Sequence, residues 1–307
     1  MSKLIEGQIE ATSIDFDLPE LEPLHRVETR AQVISAWGPS GSPGKTVLAI
    51  NIAFELALAG HRVLLIDLDT VAPSIETQLN LVDHPAGLAA ACRLAAQDRL
   101  TVSELLRLSQ PIQVSGNTLH VMTGLSTPSR WPEVTFEKVN SLIDIASSNF
   151  DFVILDIASG LASATQQPIS GIERNTATLA ALQNSNCIAA IGLSDPVGVR
   201  RLILGIQELK SLRLDADAIV VMNRVRSSAI GRKPKLQIAE TLARFASIEV
   251  DAFVPDDPAT FDQCALESIP LITAKRKSAA RIAINQLVKR KILAESNSLD
   301  DRVAKLN

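Results

Sequence analysis

Residues 33–60 read VISAWGPSGSPGKTVLAINIAFELALAG, and the architecture of the chain follows from how that stretch divides. Val33–Trp37 is a short, β-rich apolar run of the kind that forms a buried strand. From Lys45 onward the apolar residues fall at helical spacing until Gly60, which stands where helices commonly end on glycine. Between them lies Gly38–Gly44, built of glycine, serine and proline. A strand that turns through such a loop into a helix is the opening unit of a parallel α/β sheet, and the start of that helix favours an anion. Gly44, Lys45 and Thr46 add what a bound phosphate requires: a close backbone approach, a positive charge and a hydroxyl that can reach Mg²⁺. The loop is also irregular. The strict spacing places glycine where this chain has Pro39, and Pro43 has no N–H to donate.

Outward from this unit, β-rich runs recur at 33–37, 62–68, 118–123, 152–157, 187–193, 218–223 and 250–254. Helical periods occupy 45–59, 135–148, 196–210, 235–246 and 258–267. Segment 83–117 reads as an insertion with helical pieces at 87–97 and 101–108. Ser194 and Asp195 are candidate caps ahead of Pro196. Strand–helix alternation predicts a doubly wound α/β fold, with a mainly parallel sheet of seven or eight strands covered by helices on both faces. Ligands of such sheets gather at the carboxyl ends of the strands. The division along the chain is an acidic, loosely ordered segment 1–30, one domain over 31–293 and a polar tail 294–307.

Composition narrows the function. Hydrophobic residues make up 46% of the chain and aromatics 3%, with no Tyr, which suits an aliphatic core around parallel strands. A formal net charge of −4 does not indicate a general nucleic-acid binder. Charge is uneven: Glu6, Glu10, Asp15, Asp17, Glu20 and Glu22 crowd the start, and Lys275–Lys291 is basic. Both runs read as solvated surfaces. Cys92, Cys187 and Cys264 are far apart and form no CxxC, as expected of free thiols in a reducing compartment. With neither an export signal nor an apolar run of ~18 residues, the expected address is cytoplasmic.

Two further strands end in carboxylates. RVLLIDLDTVAPSI carries Asp67 and Asp69 at its carboxyl end, and FDFVILDIASGL carries Asp156, with Gly160 four residues on. Carboxylates at that edge can orient the waters of Mg²⁺ or an attacking water. A glycine there can present its N–H to a terminal phosphate. Singly each acid reads as a cap or loop residue. Together with Gly-Lys-Thr they point to a nucleotide.

At these residues the sequence resembles the ParA/MinD family of deviant-Walker P-loop ATPases, over about residues 31–293. VMNRV (221–225) and VPDDPATFDQCALESIPLI (254–272) extend the resemblance. It implies a P-loop NTPase fold, ATP and Mg²⁺ as ligands, and a homodimer closing around them. Under it Lys45 neutralises the phosphates, Gly41, Ser42 and Gly44 donate N–H groups, and Thr46, Asp67 and Asp156 serve the metal. Asp69 orients the attacking water and Gly160 senses the terminal phosphate. Asn223 bonds the base, and the backbone from Pro255 to Asp257 closes over it. The family carries a second lysine near the start of the loop, where this chain has Ser40. Since loss of such a cation costs ~10³ or more in rate, hydrolysis is expected to be slow or absent. Arg130, Arg224 or Arg226 are candidates to replace that lysine.

GLAAACRLAAQDRL (87–100) and LSTPSRWPEVT (125–135) resemble the TadZ/CpaE-type branch, which localises pilus assembly. Many of that branch carry a separate N-terminal receiver-like domain, which is not expected here with about thirty residues ahead of the first strand. The expected function is a nucleotide-controlled positioning factor with protein partners in a localisation, secretion or pilus system. Two readings stay beside it: a scaffold with a vestigial site, and a metabolic ligase of the dethiobiotin-synthetase type. Arg224, Arg226, Arg232, Lys233 and Lys235 read as a solvated loop in preference to a DNA-binding patch. KSAARIAINQLVKRKIL (277–293) reads as a helix packed on the sheet, and no direct membrane anchoring is expected.

Overall fold

The computed structural model describes residues 30–41, 43–81, 87–161 and 174–294. Eight strands make one sheet: β1 (Gln32–Trp37), β2 (Val63–Leu68), β3 (Gln110–Val114), β4 (Asn117–Met122), β5 (Phe152–Ile157), β6 (Cys187–Leu193), β7 (Asp217–Val225) and β8 (Ala252–Pro255). Their order is β3-β4-β2-β5-β1-β6-β7-β8, and every neighbouring pair is parallel except β3–β4 at one edge. The helices are α1 (Lys45–Leu58), α2 (Ile75–Gln78), α3 (Gly87–Ala95), α4 (Val102–Leu108), α5 (Phe136–Ser147) and α6 (Thr176–Gln183). They continue with α7 (Pro196–Ser211), α8 (Ser227–Ile230), α9 (Pro234–Ala246), α10 (Pro258–Glu267), α11 (Leu271–Ala274) and α12 (Ala279–Leu287).

The three central strands β1, β2 and β5 are buried along their whole length, because helices cover both faces. Strand pleat divides their side chains between two cores. Val33, Leu64, Ile66, Leu68, Val153 and Leu155 pack toward α3, α5, α6 and α7. Ile34, Ala36, Val63, Leu65, Phe152 and Ile154 pack toward α1 and α12. The predicted fold class is therefore the one observed, with eight strands.

Two elements carry no clear mark in the sequence. The end of the 83–117 insertion is the edge strand β3, which pairs antiparallel with β4 from Gln110↔Val121 to Val114↔Asn117. Pro111 speaks against a central strand, but an edge tolerates it. The connecting Ser115 and Gly116 both have positive φ (49° and 89°), as a two-residue hairpin turn requires. The second is α6, a short alanine-rich helix that packs with α5. The lead-in and tail fall outside the described residues, Arg30 and Ala294 apart.

The basic C-terminal segment is a packing element. Ala280, Ile284, Leu287, Val288 and Ile292 are all buried in the core on the α1 side. Arg281 of α12 is held by Glu55 of α1, with Nε donating to Oε1 at 2.6 Å and Nη2 to Oε2 at 3.1 Å; the Asn285 amide adds a bond of 2.6 Å. Glu55 is 4% exposed. Breaking one partner of a buried pair costs about 3–5 kcal/mol, while replacing both with apolar groups costs far less. Glu55→Ala is therefore expected to lower the unfolding free energy by about 3 kcal/mol in urea titrations, and adding Arg281→Met to recover part of that loss.

Candidate functional site

Sheet register builds the site. Ala36 of β1 pairs with Asp156 of β5, and Asp156 pairs with Asp67 of β2. The start of the glycine-rich loop and both carboxylates thus end three adjacent strands at one edge. Alternation settles their direction. Phe152 and Ile154 face the α1 layer, as do Val63 and Leu65, so Asp156 and Asp67 fall on that same face. There α1 begins at Lys45, after Gly44 in the left-handed region (φ 86°, ψ 32°).

Gly38, just past the strand, runs against β6: a Cβ there would collide with the Ile191 carbonyl oxygen. Its smallness serves packing. Gly41 has φ 117°, open only to glycine at low cost. Ser42 lies outside the described residues.

Lys45 is held rather than free. Its Nζ is 3.5 Å from Asp69 Oδ2 and donates to Ser159 Oγ at 3.2 Å. Asp69 is fixed in turn, because Oδ1 accepts from the N–H groups of Val71 (3.0 Å) and Ala72 (2.9 Å). Ser159 follows the strand of Asp156, and its carbonyl accepts from Trp37 Nε1 at 3.2 Å. Gly160 is next to it, with Asn175 Oδ1 standing 3.0 Å from where a Cβ would be.

Asp67 and Asp156 are both fully buried, yet their surroundings differ. Asp67 accepts three backbone N–H bonds, from Asp69 (3.2 Å) to Oδ1 and from Ser74 (2.9 Å) and Ile75 (3.1 Å) to Oδ2. Burial nonetheless pushes its carboxyl up to about 7. Asp156 has no hydrogen-bond partner on either oxygen. Burial, and then the charge of Asp67, drive its carboxyl well above the usual carboxylate range. Thr46 and Lys45 pull the other way, although the Thr46 hydroxyl does not meet hydrogen-bond geometry with it. Of the two, Asp156 carries the proton, because it lacks the N–H donors that favour the charged form of Asp67.

Two buried oxygens without a partner, neutral while they keep their proton, are a place for a cation that displaces that proton. Among the described residues no group of three or more His, Cys, Asp or Glu side chains could hold a metal alone. Mg²⁺ binds through one or two carboxylates plus waters and phosphate oxygens, a smaller demand on the protein. Asp156, Asp67 and the Thr46 hydroxyl are the donors that suit it.

On the other side of the loop is a cavity of about 370 Å³, lined by Gly44, Val47, Asn51, Asn223, Phe261 and Cys264 among others. Asn223 is buried at the carboxyl end of β7. Its Nδ2 donates to the Pro43 carbonyl at 2.8 Å, and its Oδ1 accepts from Arg224 N at 2.9 Å. It braces the loop as well as facing the cavity. Pro255 closes β8, and Asp257 caps α10 by accepting from Thr260 N at 3.4 Å. Neither is among the lining residues, whereas Phe261, one turn into α10, is.

The three arginines singled out in the sequence do not reach the front of the loop. Arg130 is bidentate to Glu133 at 2.6 and 2.8 Å. Arg226 stands 3.7 Å from Asp256, and Arg224 lines the cavity beside Gly44. The arginine at the loop is Arg201 of α7, whose Nη1 donates to the Ser40 carbonyl at 3.3 Å. Neither it nor Ser159 stands out by spacing. Arg201 comes to the loop because β6 lies beside β1, which the strand order alone reveals.

The CobQ/CobB/MinD/ParA nucleotide binding domain family matches residues 34–268. The septum site-determining protein MinD of Bacillus subtilis (strain 168) is 25% identical over 264 residues, 83% of this chain and 87% of that protein. Two solved structures share the fold. A ParA family ATPase from Chlorobium tepidum TLS superposes with a TM-score of 0.70 at 19% identity, over 84% of this chain and 98% of that one. The septum site-determining protein MinD from Pyrococcus horikoshii OT3, complexed with Mg-ADP, gives 0.67 at 17% identity, over 87% and 98%.

The carboxyl pair sets a pH dependence. Both folded-state values lie above the ordinary 3.8, so between about 4 and about 7 the folded chain holds protons that the unfolded chain has released. Folding is then favoured at the acid end, and stability falls as pH rises through that window. In chelator, stability in urea is expected to fall from about pH 5.5 to 7.5, by at most about 1.4 kcal/mol per pH unit for each carboxyl that stays protonated in the folded chain while ionised in the unfolded one. Asp156→Asn should flatten the profile.

Proposed function

We propose that this chain, which belongs to the CobQ/CobB/MinD/ParA nucleotide-binding family, is an ATP-binding positioning factor that dimerises under nucleotide control and turns ATP over slowly or not at all. The observation that carries the reading is Asp156: fully buried, unpartnered, and flanked by Asp67 and the Lys45–Asp69–Ser159 cluster. Burying that acid without a partner is costly, and a cation with its anion would offset the cost.

In this reading Lys45 releases Ser159 and Asp69 to meet phosphate oxygens. Gly41, Ser42 and Gly44 offer backbone N–H groups, Thr46 and Asp156 hold Mg²⁺, and Asp67 orients its waters. Mg²⁺ supplies charge neutralisation at the phosphates. Asp69 positions the attacking water, and Gly160 offers its N–H to the terminal phosphate. Asn223 and the α10 turn frame the base, with the Pro255–Asp257 backbone holding α10 in place. Ser40 leaves the loop without a second lysine, which is the reason for slow turnover.

The finer assignment, to pilus or secretion assembly, rests on residues 87–100 and 125–135; α3 and the Pro128–Glu133 turn pack together in the structure. Direct membrane anchoring is not part of the reading. Among the described residues no helix is long and apolar enough to cross a membrane, and the apolar face of α12 is already buried. DNA is disfavoured too, since Arg226 is near Asp256 and Lys235 stands over the Phe253 ring at 6.0 Å.

Calorimetry with Mg²⁺ and a non-hydrolysable ATP analogue tests the reading. Binding is expected, with Lys45→Ala weakening it about 10- to 100-fold through lost charge-assisted hydrogen bonds. Light scattering should show a dimer with the analogue and a monomer without it. Absence of binding at millimolar analogue leaves a scaffold, and ordinary family turnover abolished by Lys45→Ala refutes the slow-hydrolysis half.

A further inference from the structure

The front of the loop is short of positive charge. Lys45 is shared between Asp69 and Ser159, and Ser40 is neutral. A triphosphate brings more negative charge than one lysine and one divalent ion offset. The structure places one more cation there, Arg201. Its Nη1 donates to the Ser40 carbonyl and lies over Gly41, in the space that a Cβ at that glycine would take. Among the described residues the guanidinium makes this one hydrogen bond and no ion pair, which leaves most of its five donors for a ligand.

A cavity of about 380 Å³ opens at the same place, lined by Ser40, Gly41, Ser159, Gly160, Arg201 and Glu208 among others. Arg201 is the single cation among its described lining residues. Ser159 and Gly160, in the same lining, belong to the segment that holds Lys45. The cavity therefore reaches from the bare front of the loop to Ser159, the hydroxyl that holds Lys45.

Packing, not surface accident, sets Arg201 there. β6 neighbours β1, with Trp37 paired to Ala190, so the helix after β6 runs beside the loop after β1. Three glycines let that helix approach. A Cβ at Gly198 would meet the Leu193 carbonyl oxygen at 2.5 Å, one at Gly192 the Leu202 side chain at 2.6 Å, and one at Gly205 the Trp37 ring at 2.7 Å. Asp195 fixes the start of α7 by accepting from Gly198 N at 2.7 Å. Arg201 stands one turn from Gly205, on the helix face that meets Trp37 and the loop.

We propose that Arg201 is a phosphate-positioning residue that grips the terminal phosphate over Gly41 within its own chain. It thereby makes the site favour nucleoside triphosphate over diphosphate. The inference rests on the nucleotide reading above. The guanidinium exchanges a neutral carbonyl for a charged oxygen, and charge-assisted bonds of that kind are the stronger.

The test uses the full chain, with the unaltered protein, Arg201→Gln and Arg201→Lys compared by calorimetry against Mg²⁺ with ATPγS and Mg²⁺ with ADP. Circular dichroism and melting temperature confirm that each variant is folded. Arg201→Gln is expected to lose about tenfold or more in ATPγS affinity and about twofold or less in ADP affinity. Arg201→Lys should recover part of the loss, since it restores the charge without the planar fork. Equal losses for both nucleotides, or none for either, overturn the role of Arg201 and leave the nucleotide reading standing. Unchanged ATPγS affinity in dilute monomer with lost dimerisation moves the guanidinium to the partner copy and overturns the within-chain placement. An unaltered chain that binds neither nucleotide overturns both.

Discussion

Two carboxyl groups buried side by side in one sheet cannot both be charged unless a cation comes between them. Asp67 and Asp156 are register partners on neighbouring parallel strands, and both point into the layer where α1 begins. The fold resolves their repulsion unevenly. It surrounds Asp67 with three N–H donors and leaves Asp156 with none. Everything else at this edge accommodates that choice: Lys45 is drawn back onto Asp69, and the Thr46 side chain stands near an acid it does not yet bond. Such a cluster is costly without ligands, and the aliphatic core around β1, β2 and β5 carries the cost.

Much of this is legible in the residues. A strand, a glycine-rich loop and Gly-Lys-Thr at a helix start announce an anion site, and acids ending two apolar runs announce a metal edge. Period-two alternation then places those acids on one face. The edge strand β3 is hidden because Pro111 and polar Gln113 break the apolar run that marks a buried strand. Its hairpin turn at Ser115–Gly116 is the available sign. Arg201 is hidden for a different reason. Its importance comes from the adjacency of β1 and β6, which only the strand order reveals, and from glycines whose role is to be absent volume. Asn223 stands out from its context, yet that context says nothing of the bond to Pro43.

The chain belongs to a nucleotide-binding family, and the departures in its loop are its own. Pro39 and Pro43 stiffen a loop that is usually freer, and Gly38, Asn223 and Arg201 clamp it at three points: to β6, to β7 and to α7. A loop held this way is pre-shaped, and pre-shaping reduces the ordering cost of binding. It also limits rearrangement during turnover.

Trp37 gives the molecule its own gauge. It is one of two tryptophans in the chain, and its indole sits at the junction of loop, α7 and the Ser159–Gly160 segment, with Nε1 on the Ser159 carbonyl and the ring against Gly205. Trp131 lies elsewhere, in the Pro128–Glu133 turn. A displacement of the Ser159–Gly160 segment would change the surroundings of the first indole directly, through its bond to the Ser159 carbonyl. Emission from Trp37 is therefore a label-free reporter of where that segment lies.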